Sequence, residues 1–288
     1  MEGIVTECPY VVGNEIALHI DRQQVKATIA HIFEPFTFSC AMVVLLDRPS
    51  QSLQLNGHMV LKLYDRRFAT GFREDQKSNP WTPDIEQQYQ QFVLNGDASN
   101  FVARLDNDDG FDETYLYTRT RDFYETEIEV YVTLKDIQGE HVPKLFTCVT
   151  LHGSSALHDA SVSKYTDIPG ILLEYIDGFP LTDQSLCEQA INIIHQVGDR
   201  GILNEGVKTR SFVIQKSPER RFKMFMLDFA LCKFRRDYES EKEWWEWKAI
   251  QDEEGAVGYI MRNRLQGGFV YHRSALYTKL DDDYKSEN

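Results

Sequence analysis

The sequence predicts an α+β chain in which a small sheet with one helix packed on it is followed by a mostly helical part. Three observations lead there. Apolar residues alternate with period two through much of the first 65 residues, and later segments carry them at helical spacing. The chain has 288 residues, 42% hydrophobic and 26% charged, the balance of a folded protein with one large domain or two lobes sharing a core. No internal repeat interrupts this order.

The elements follow in turn. Val25, Ala27, Ile29 and Phe33 alternate, Phe36 to Leu46 is β-rich, and His58 to Tyr64 alternates again, so three strand regions are expected. Between Thr70 and Glu113 an insertion is expected, with a short helix at Asp84 to Leu94 and a solvated acidic loop, RLDNDDGFDE. Arg121 to Ile137 has helical spacing. Lys144 to His152 and Gly170 to Tyr175 read as buried strands. Thr182 or Asp183 is expected to cap a helix whose stripe is Leu186, Ala190, Ile193, Ile194 and Val197. A loop, Gly201 to Arg210, leads to the strand Ser211 to Gln215, a basic turn, and the strand Phe222 to Leu227, which stops at Asp228. Helices are expected at Glu241 to Gln251 and Glu254 to Leu265, then a disordered acidic tail, DDDYKSEN. The expected organisation is an N-terminal lobe over 1–176, with the insertion at about 70–113, and a C-terminal lobe over 177–288.

Composition narrows the function. Forty-five acidic against 31 basic residues leave a net charge of −14, which argues against a surface built to neutralise nucleic-acid phosphates. Cys8, Cys40, Cys148, Cys187 and Cys232 are odd in number and show no Cys-x-x-Cys pair, so neither a disulfide framework nor a zinc site is expected. The opening MEGIVTECPYVV lacks a basic n-region, and the longest apolar run, Ala41 to Leu46, falls short of the roughly 20 residues of a membrane span. A soluble intracellular protein, cytoplasmic or nuclear, is expected. No H-E-x-x-H or G-x-S-x-G occurs.

Four features in sequence order carry chemistry. Lys62 lies in an apolar strand, GHMVLKLYDRRF, on the face of Val60. Alone it reads equally as a lysine snorkelling at a sheet edge. Glu127 falls inside the helical stripe of Phe123, Val130, Tyr131 and Leu134, while Glu125 and Glu129 face away, and a carboxylate on an apolar face needs a partner. GILLEYIDGFPL is a buried strand with a Gly-containing turn. KMFMLDFALC is an apolar strand stopped by Asp228, which reads alone as a turn-capping aspartate or as a metal ligand.

In this order the four features resemble the protein-kinase-like superfamily, most closely compact fungal kinase-like proteins, over roughly Ala17 to Leu280. The resemblance implies a two-lobed kinase-like fold with a shortened second lobe. It implies that Lys62 holds the inner phosphates of ATP, that Glu127 keeps Lys62 in place, that Val60 packs on the adenine, that the backbone of Glu174 and Ile176 bonds its edge, and that Asp228 binds Mg²⁺. The departures are as telling. Along GILNEGVKTRSFVI, Asn204 stands at the family's catalytic-loop histidine, Gly206 at its base, and Ser211 at its metal-binding asparagine. No glycine-rich loop precedes Lys62, and the first two strands of the pattern meet around HIFEPFTFS. A positioned base is worth about 10²–10⁴-fold. The resemblance therefore implies a pseudokinase, a binding or regulatory module that transfers phosphate poorly or not at all. The alternative is an atypical phosphotransferase in which Glu205 serves as a shifted base and Lys208 steadies the γ-phosphate, together with Arg210, on a small molecule or protein. Lys208, Arg210, Lys216, Arg220, Arg221 and Lys223 stand against the single Glu219, a cluster suited to an anionic ligand or an acidic partner, or to a solvated turn. Trp244 and Trp247 are expected in the core, with Trp245 at the surface.

Overall fold

The structure, a computed structural model, describes residues 7–21, 23–47, 57–100, 109–153, 160–181, 186–216, 222–264 and 270–287. The chain divides into two compact units, Met1–Glu125 with Leu145–Tyr175, and Thr126–Lys144 with Ile176–Asn288.

The first unit is built on a closed antiparallel barrel. Its strands are β1 (Glu15–Ile20), β2 (Gln23–Ile32), β3 (Cys40–Leu46), β4 (His58–Leu63), β5 (Leu145–Leu151) and β6 (Ile168–Glu174), in the order β1-β2-β3-β4-β6-β5. Alternation fills the barrel with Leu18, Ala27, Ile29, Met42, Val44, Leu61, Leu63 and Leu172, all essentially without solvent contact. Each of the larger side chains contributes roughly 1.5–3 kcal/mol by burial. The predicted alternation of β2 does not reach Phe33. The pairing with β3 shifts register between Ile29 and His31, and a bulge reverses which face a side chain takes, so Phe33 is exposed. Of the two later strands only β6 is buried, from Ile168 through Leu173; β5 is largely half-exposed, with Cys148 facing solvent, and among the described residues its pairing with β1 is confined to His19 opposite Thr150.

Among the described residues, four α-helices belong wholly or partly to this unit: α1 (Thr70–Asp75), α2 (Pro83–Leu94), α3 (Asp109–Thr133) and α4 (Ala160–Thr166). The Thr82 hydroxyl caps α2 by accepting from the Ile85 N–H, and Pro83 occupies the first turn, where its missing N–H costs nothing. The acidic segment expected as a solvated loop is helical from Asp109, and its Glu113 is buried between Arg66 and Arg73. Ion pairing across the fold removes the reason for that carboxylate to stay in water. The division between the units falls within α3, after Glu125.

The second unit contains the last turns of α3, β7 (Phe179–Pro180), α5 (Cys187–Asp199), β8 (Ile202–Asn204), β9 (Phe212–Lys216), β10 (Phe222–Met226), β11 (Cys232–Phe234), α6 (Glu241–Gln251), α7 (Glu253–Arg264) and α8 (Ala275–Glu287). Two small sheets, β10-β9-β7 and β11-β8, frame the loops that matter for chemistry. The stripe of α5 is as expected at Ala190, Ile193, Ile194 and Val197, all fully buried, but Leu186 precedes the helix and is half-buried, and the expected cap at Thr182 or Asp183 lies outside the described residues. The acidic tail is not disordered: α8 anchors through buried Tyr277 and Leu280, and Asp281 pairs with Arg273 at 2.8 Å. On α6, Trp244 is core but Trp247 is exposed, and Trp245 is half-buried beneath the Arg235 guanidinium. The inward face of that helix runs through Trp244 and Lys248, spaced i and i+4, which turns Trp247 outward.

Candidate functional site

In the second unit, β8 and β9 bracket residues 205–211, and β10 and β11 bracket residues 227–231. Pairing of β8 with β11, with Asn204 opposite Cys232, brings these two loops side by side. The Asn204 side chain ties both. Its amide donates to the Asp228 carbonyl at 3.0 Å, and its Oδ1 accepts from the Gly206 N–H at 2.9 Å. The Leu227 N–H donates to the Ser211 carbonyl at 2.7 Å, a second link between the loops. Asn204, Gly206, Ser211 and Asp228 therefore form one hydrogen-bonded assembly.

Asp228 is exposed and holds φ +65, in the left-handed region that aspartate enters more readily than most residues. The next residue, Phe229, is fully buried, with its ring edge-on to Tyr131 at 5.5 Å. Tyr131 lies one helical turn beyond Glu127, itself completely buried. Burial first, then the charges of Glu127 and Asp228, push the Tyr131 phenol far above its ordinary range, so both carboxylates act on one ring. Its hydroxyl is a buried polar atom with no hydrogen-bond partner among the described residues.

Gly206 has no side chain with which to take a proton. A Cβ there would meet Leu231 Cδ1 at 3.1 Å, the end of a flexible side chain, so the missing carboxylate is not excluded by backbone packing. Ser211 is buried, and its Oγ accepts from the Lys208 N–H at 3.2 Å. Glu205 is half-buried, with its N–H donating to the Leu231 carbonyl and its own carbonyl taking the Gln251 amide at 2.8 Å. Its charge helps raise the Tyr238 phenol, after burial, to about 12. Lys208 and Arg210 are exposed, and Lys223 donates its ammonium to the Gly139 carbonyl. Residues 217–221, which include Glu219, Arg220 and Arg221, lie outside the described residues, as does the side chain of Lys216.

Sequence reasoning missed the support beneath this assembly. The Asn204 N–H donates to Glu253 Oε1 at 2.8 Å, while Glu253 Oε2 takes the Lys248 ammonium at 2.9 Å and the Tyr277 hydroxyl at 3.2 Å. All four residues are buried. The available signal was the pair Glu253-Glu254 just before the apolar run Ala256 to Met261 of the same helix, where a carboxylate turned inward must find donors.

In the first unit, Lys62 and Val60 share the face of β4 opposite the core residues Met59, Leu61 and Leu63. Lys62 is opposite Ala41 on β3 and Ile171 on β6, and Val60 is opposite Val43 and Leu173. A strand paired on both sides is no sheet edge, and Lys62 is buried, so it does not snorkel at a rim. Close approach of β6 depends on Gly170, where a Cβ would stand 2.7 Å from the Lys62 carbonyl oxygen. Glu174, opposite Met59, ends β6 half-buried, and Ile176 two residues on is buried in the second unit.

No group of three or more His, Cys, Asp or Glu among the described residues can hold a metal ion unaided. The donors present are those of a Mg²⁺ that arrives with phosphates and retains water, since such sites use one or two carboxylates and take their other ligands from the nucleotide. Asp228, exposed just beyond β10, meets that requirement as a single carboxylate. No helix among the described residues is long and apolar enough to cross a membrane.

Among solved structures the chain is similar to the Rio2 kinase of Chaetomium thermophilum in an ADP/Mg²⁺-phosphoaspartate complex, at 12% identity over 88% of this chain and 61% of that one, with a TM-score of 0.47. It is also similar to the PknI kinase domain of Mycobacterium tuberculosis, at 11% identity over 71% and 60% with a TM-score of 0.34, and to WaaP in complex with acyl carrier protein, at 8% over 89% and 82% with a TM-score of 0.41. The chain spans about three fifths of the length of the Rio2 and PknI chains it matches. No protein-family model matches the sequence, and no curated protein matches it. Likeness at this level concerns layout, so function must be read from the side chains of this chain.

Proposed function

We propose that this protein is a kinase-fold nucleotide-binding module of the pseudokinase kind, one that holds ATP with Mg²⁺ and transfers phosphate poorly or not at all. The observation that carries the reading is the assembly around Asn204. Its side chain seats Asp228 at the end of an apolar strand, and the residue it bonds on the neighbouring loop is Gly206, which has nothing to accept a hydroxyl proton. A positioned carboxylate beside a position with no base supports binding without efficient transfer.

Each unit contributes its own part. In the first, Lys62 offers a buried cation to the inner phosphates, Val60 an apolar surface to the adenine, and Glu174 a backbone edge at the end of β6. In the second, Ile176 extends that edge, Glu127 supplies the carboxylate of the helix, and Asp228 holds the metal, which when bound screens the phosphate charge. The hydroxyl of Ser211 is engaged by the Lys208 N–H, so the second metal position is weak.

The test is calorimetric titration of ATP into the full chain with and without Mg²⁺, repeated on Lys62→Ala and Asp228→Asn, beside a turnover assay. Saturable Mg²⁺-dependent binding that both substitutions weaken at least tenfold, with no turnover in the wild type, is expected. Absence of binding at about 1 mM ATP would put the affinity below roughly 4 kcal/mol and defeat the proposal. Robust turnover lost in Glu205→Gln would instead establish the shifted-base phosphotransferase.

A further inference from the structure

The first unit contains a cavity of about 590 Å³ whose walls come from α2, the first half of α3, residues 64–67 and residues 165–169. Neither Lys62 nor Val60 lines it. Its walls combine aromatic faces, Trp81, Tyr117 and Tyr165, with the guanidinium-bearing Arg67 and Arg121 and a row of glutamines on α2.

The polar groups are unequally spent. Among the lining carboxylates, Asp65 accepts from the Tyr10 hydroxyl at 2.6 Å and from Arg67 Nε and an Arg67 terminal nitrogen at 2.9 and 2.8 Å. Glu86 accepts from Arg66 at 2.7 Å, from the Trp81 indole at 2.9 Å and from the Gln90 amide at 3.3 Å. Asp167 bonds His152 Nδ1 at 2.9 Å. The acceptors are therefore occupied. Donors are in surplus: Arg67 spends two of its five side-chain N–H groups on Asp65. Arg121 hydrogen-bonds the Tyr117 side chain and pairs loosely with Glu125 at 3.7 Å, which leaves most of its five N–H groups unspent.

Arg66, which itself lines the cavity, and Arg73 share the fully buried Glu113. That network occupies Arg66, so the guanidinium groups left for a ligand are those of Arg67 and Arg121. Such donors beside aromatic faces suit a ligand that combines a planar ring with an acceptor-only anionic group.

We propose that this cavity is a small-molecule site for an aromatic carboxylate, either a free metabolite-sized acid or the C-terminal carboxylate of a chain ending in an aromatic residue. Arg121 takes the carboxylate, the amide of Gln87 assists, and Trp81 and Tyr117 receive the ring.

The probes are phenylacetate, its neutral analogue phenylacetamide, and an acetylated tripeptide ending in phenylalanine with a free carboxylate. Each is titrated into the full chain and followed by calorimetry and by the glutamine side-chain amide resonances. Saturable binding of phenylacetate or the tripeptide is expected, at least tenfold weaker for phenylacetamide. The same loss is expected in Arg121→Gln, whose half-exposed side chain can change without unfolding the unit. Lys62→Ala should bind the probe normally, which separates this site from the nucleotide reading. Tighter binding of the tripeptide identifies a chain terminus as the source, and equal or tighter binding of phenylacetate a free acid. No saturable binding of either acid, equal binding of phenylacetamide, or full binding by a folded Arg121→Gln would overturn the proposal.

Discussion

Replacing Glu254 by glutamine measures what one buried charge contributes to the unit that carries Asp228. Glu254 has no solvent contact, and its oxygens take hydrogen bonds from His195 Nε2 at 2.9 Å, from the Tyr271 hydroxyl at 2.5 Å and from the Ser274 N–H at 2.7 Å. Burial alone would raise its pKa. The hydrogen bonds from His195, Tyr271 and Ser274 outweigh burial and hold the carboxyl down at about 2. Against an ordinary glutamate value of about 4.3, at roughly 1.4 kcal/mol per pKa step, the ionised group contributes about 3 kcal/mol at neutral pH. Glutamine keeps the shape and can still accept from Tyr271 and Ser274, so the expected loss is about 1–3 kcal/mol. Because the folded-state pKa is depressed, this contribution is complete above about pH 5 and disappears as pH falls toward 2. Urea unfolding followed by circular dichroism at several pH values should therefore show the gap between wild type and Glu254→Gln closing on acidification. A gap that is equally wide near pH 2, or absent at pH 7, would show that packing rather than charge holds this residue.

Glu113→Gln should destabilise the first unit by about 3 kcal/mol in denaturant titration, because it leaves Arg66 and Arg73 buried with less compensation. Gly170→Ala should cost roughly 1–3 kcal/mol in the same measurement, since a Cβ would stand 2.7 Å from both the Lys62 carbonyl oxygen and Leu63 Cδ2. Asn204→Ala removes the donor to the Asp228 carbonyl and the acceptor of the Gly206 N–H, so about 1–3 kcal/mol of stability should be lost. If the nucleotide reading holds, Asn204→Ala should also weaken Mg²⁺-dependent ATP binding, read by calorimetry. Gly206→Asp combined with Ser211→Asn should fold, with Leu231 giving way, and should raise phosphate transfer above the wild-type level in a turnover assay.

Much of the architecture was legible because its signals are local. Period-two alternation located β2 and β4, a β-rich run located β3, and helical spacing located the second half of α3 and α5. The same periodicities singled out the face shared by Val60 and Lys62, and the inward position of Glu127. Short strands such as β8 and β11 escaped because three residues carry too little pattern, yet their pairing is what brings Asn204 to Asp228. The tail escaped because its three consecutive aspartates masked the anchors Tyr277 and Leu280, whose burial depends on distant partners.

By itself, then, the sequence determined the longer patterned strands and helices in their order, their apolar faces, and the absence of a side chain at residue 206, since each depends on neighbours within a turn or two. Only the tertiary structure decided which charges go inside. Glu113 reads as one more acidic residue in a solvated run, but it is buried because Arg66, 47 residues away, meets it. The cost of burying a charge is set by the partner it finds, and that partner is chosen by folding rather than by spacing along the chain.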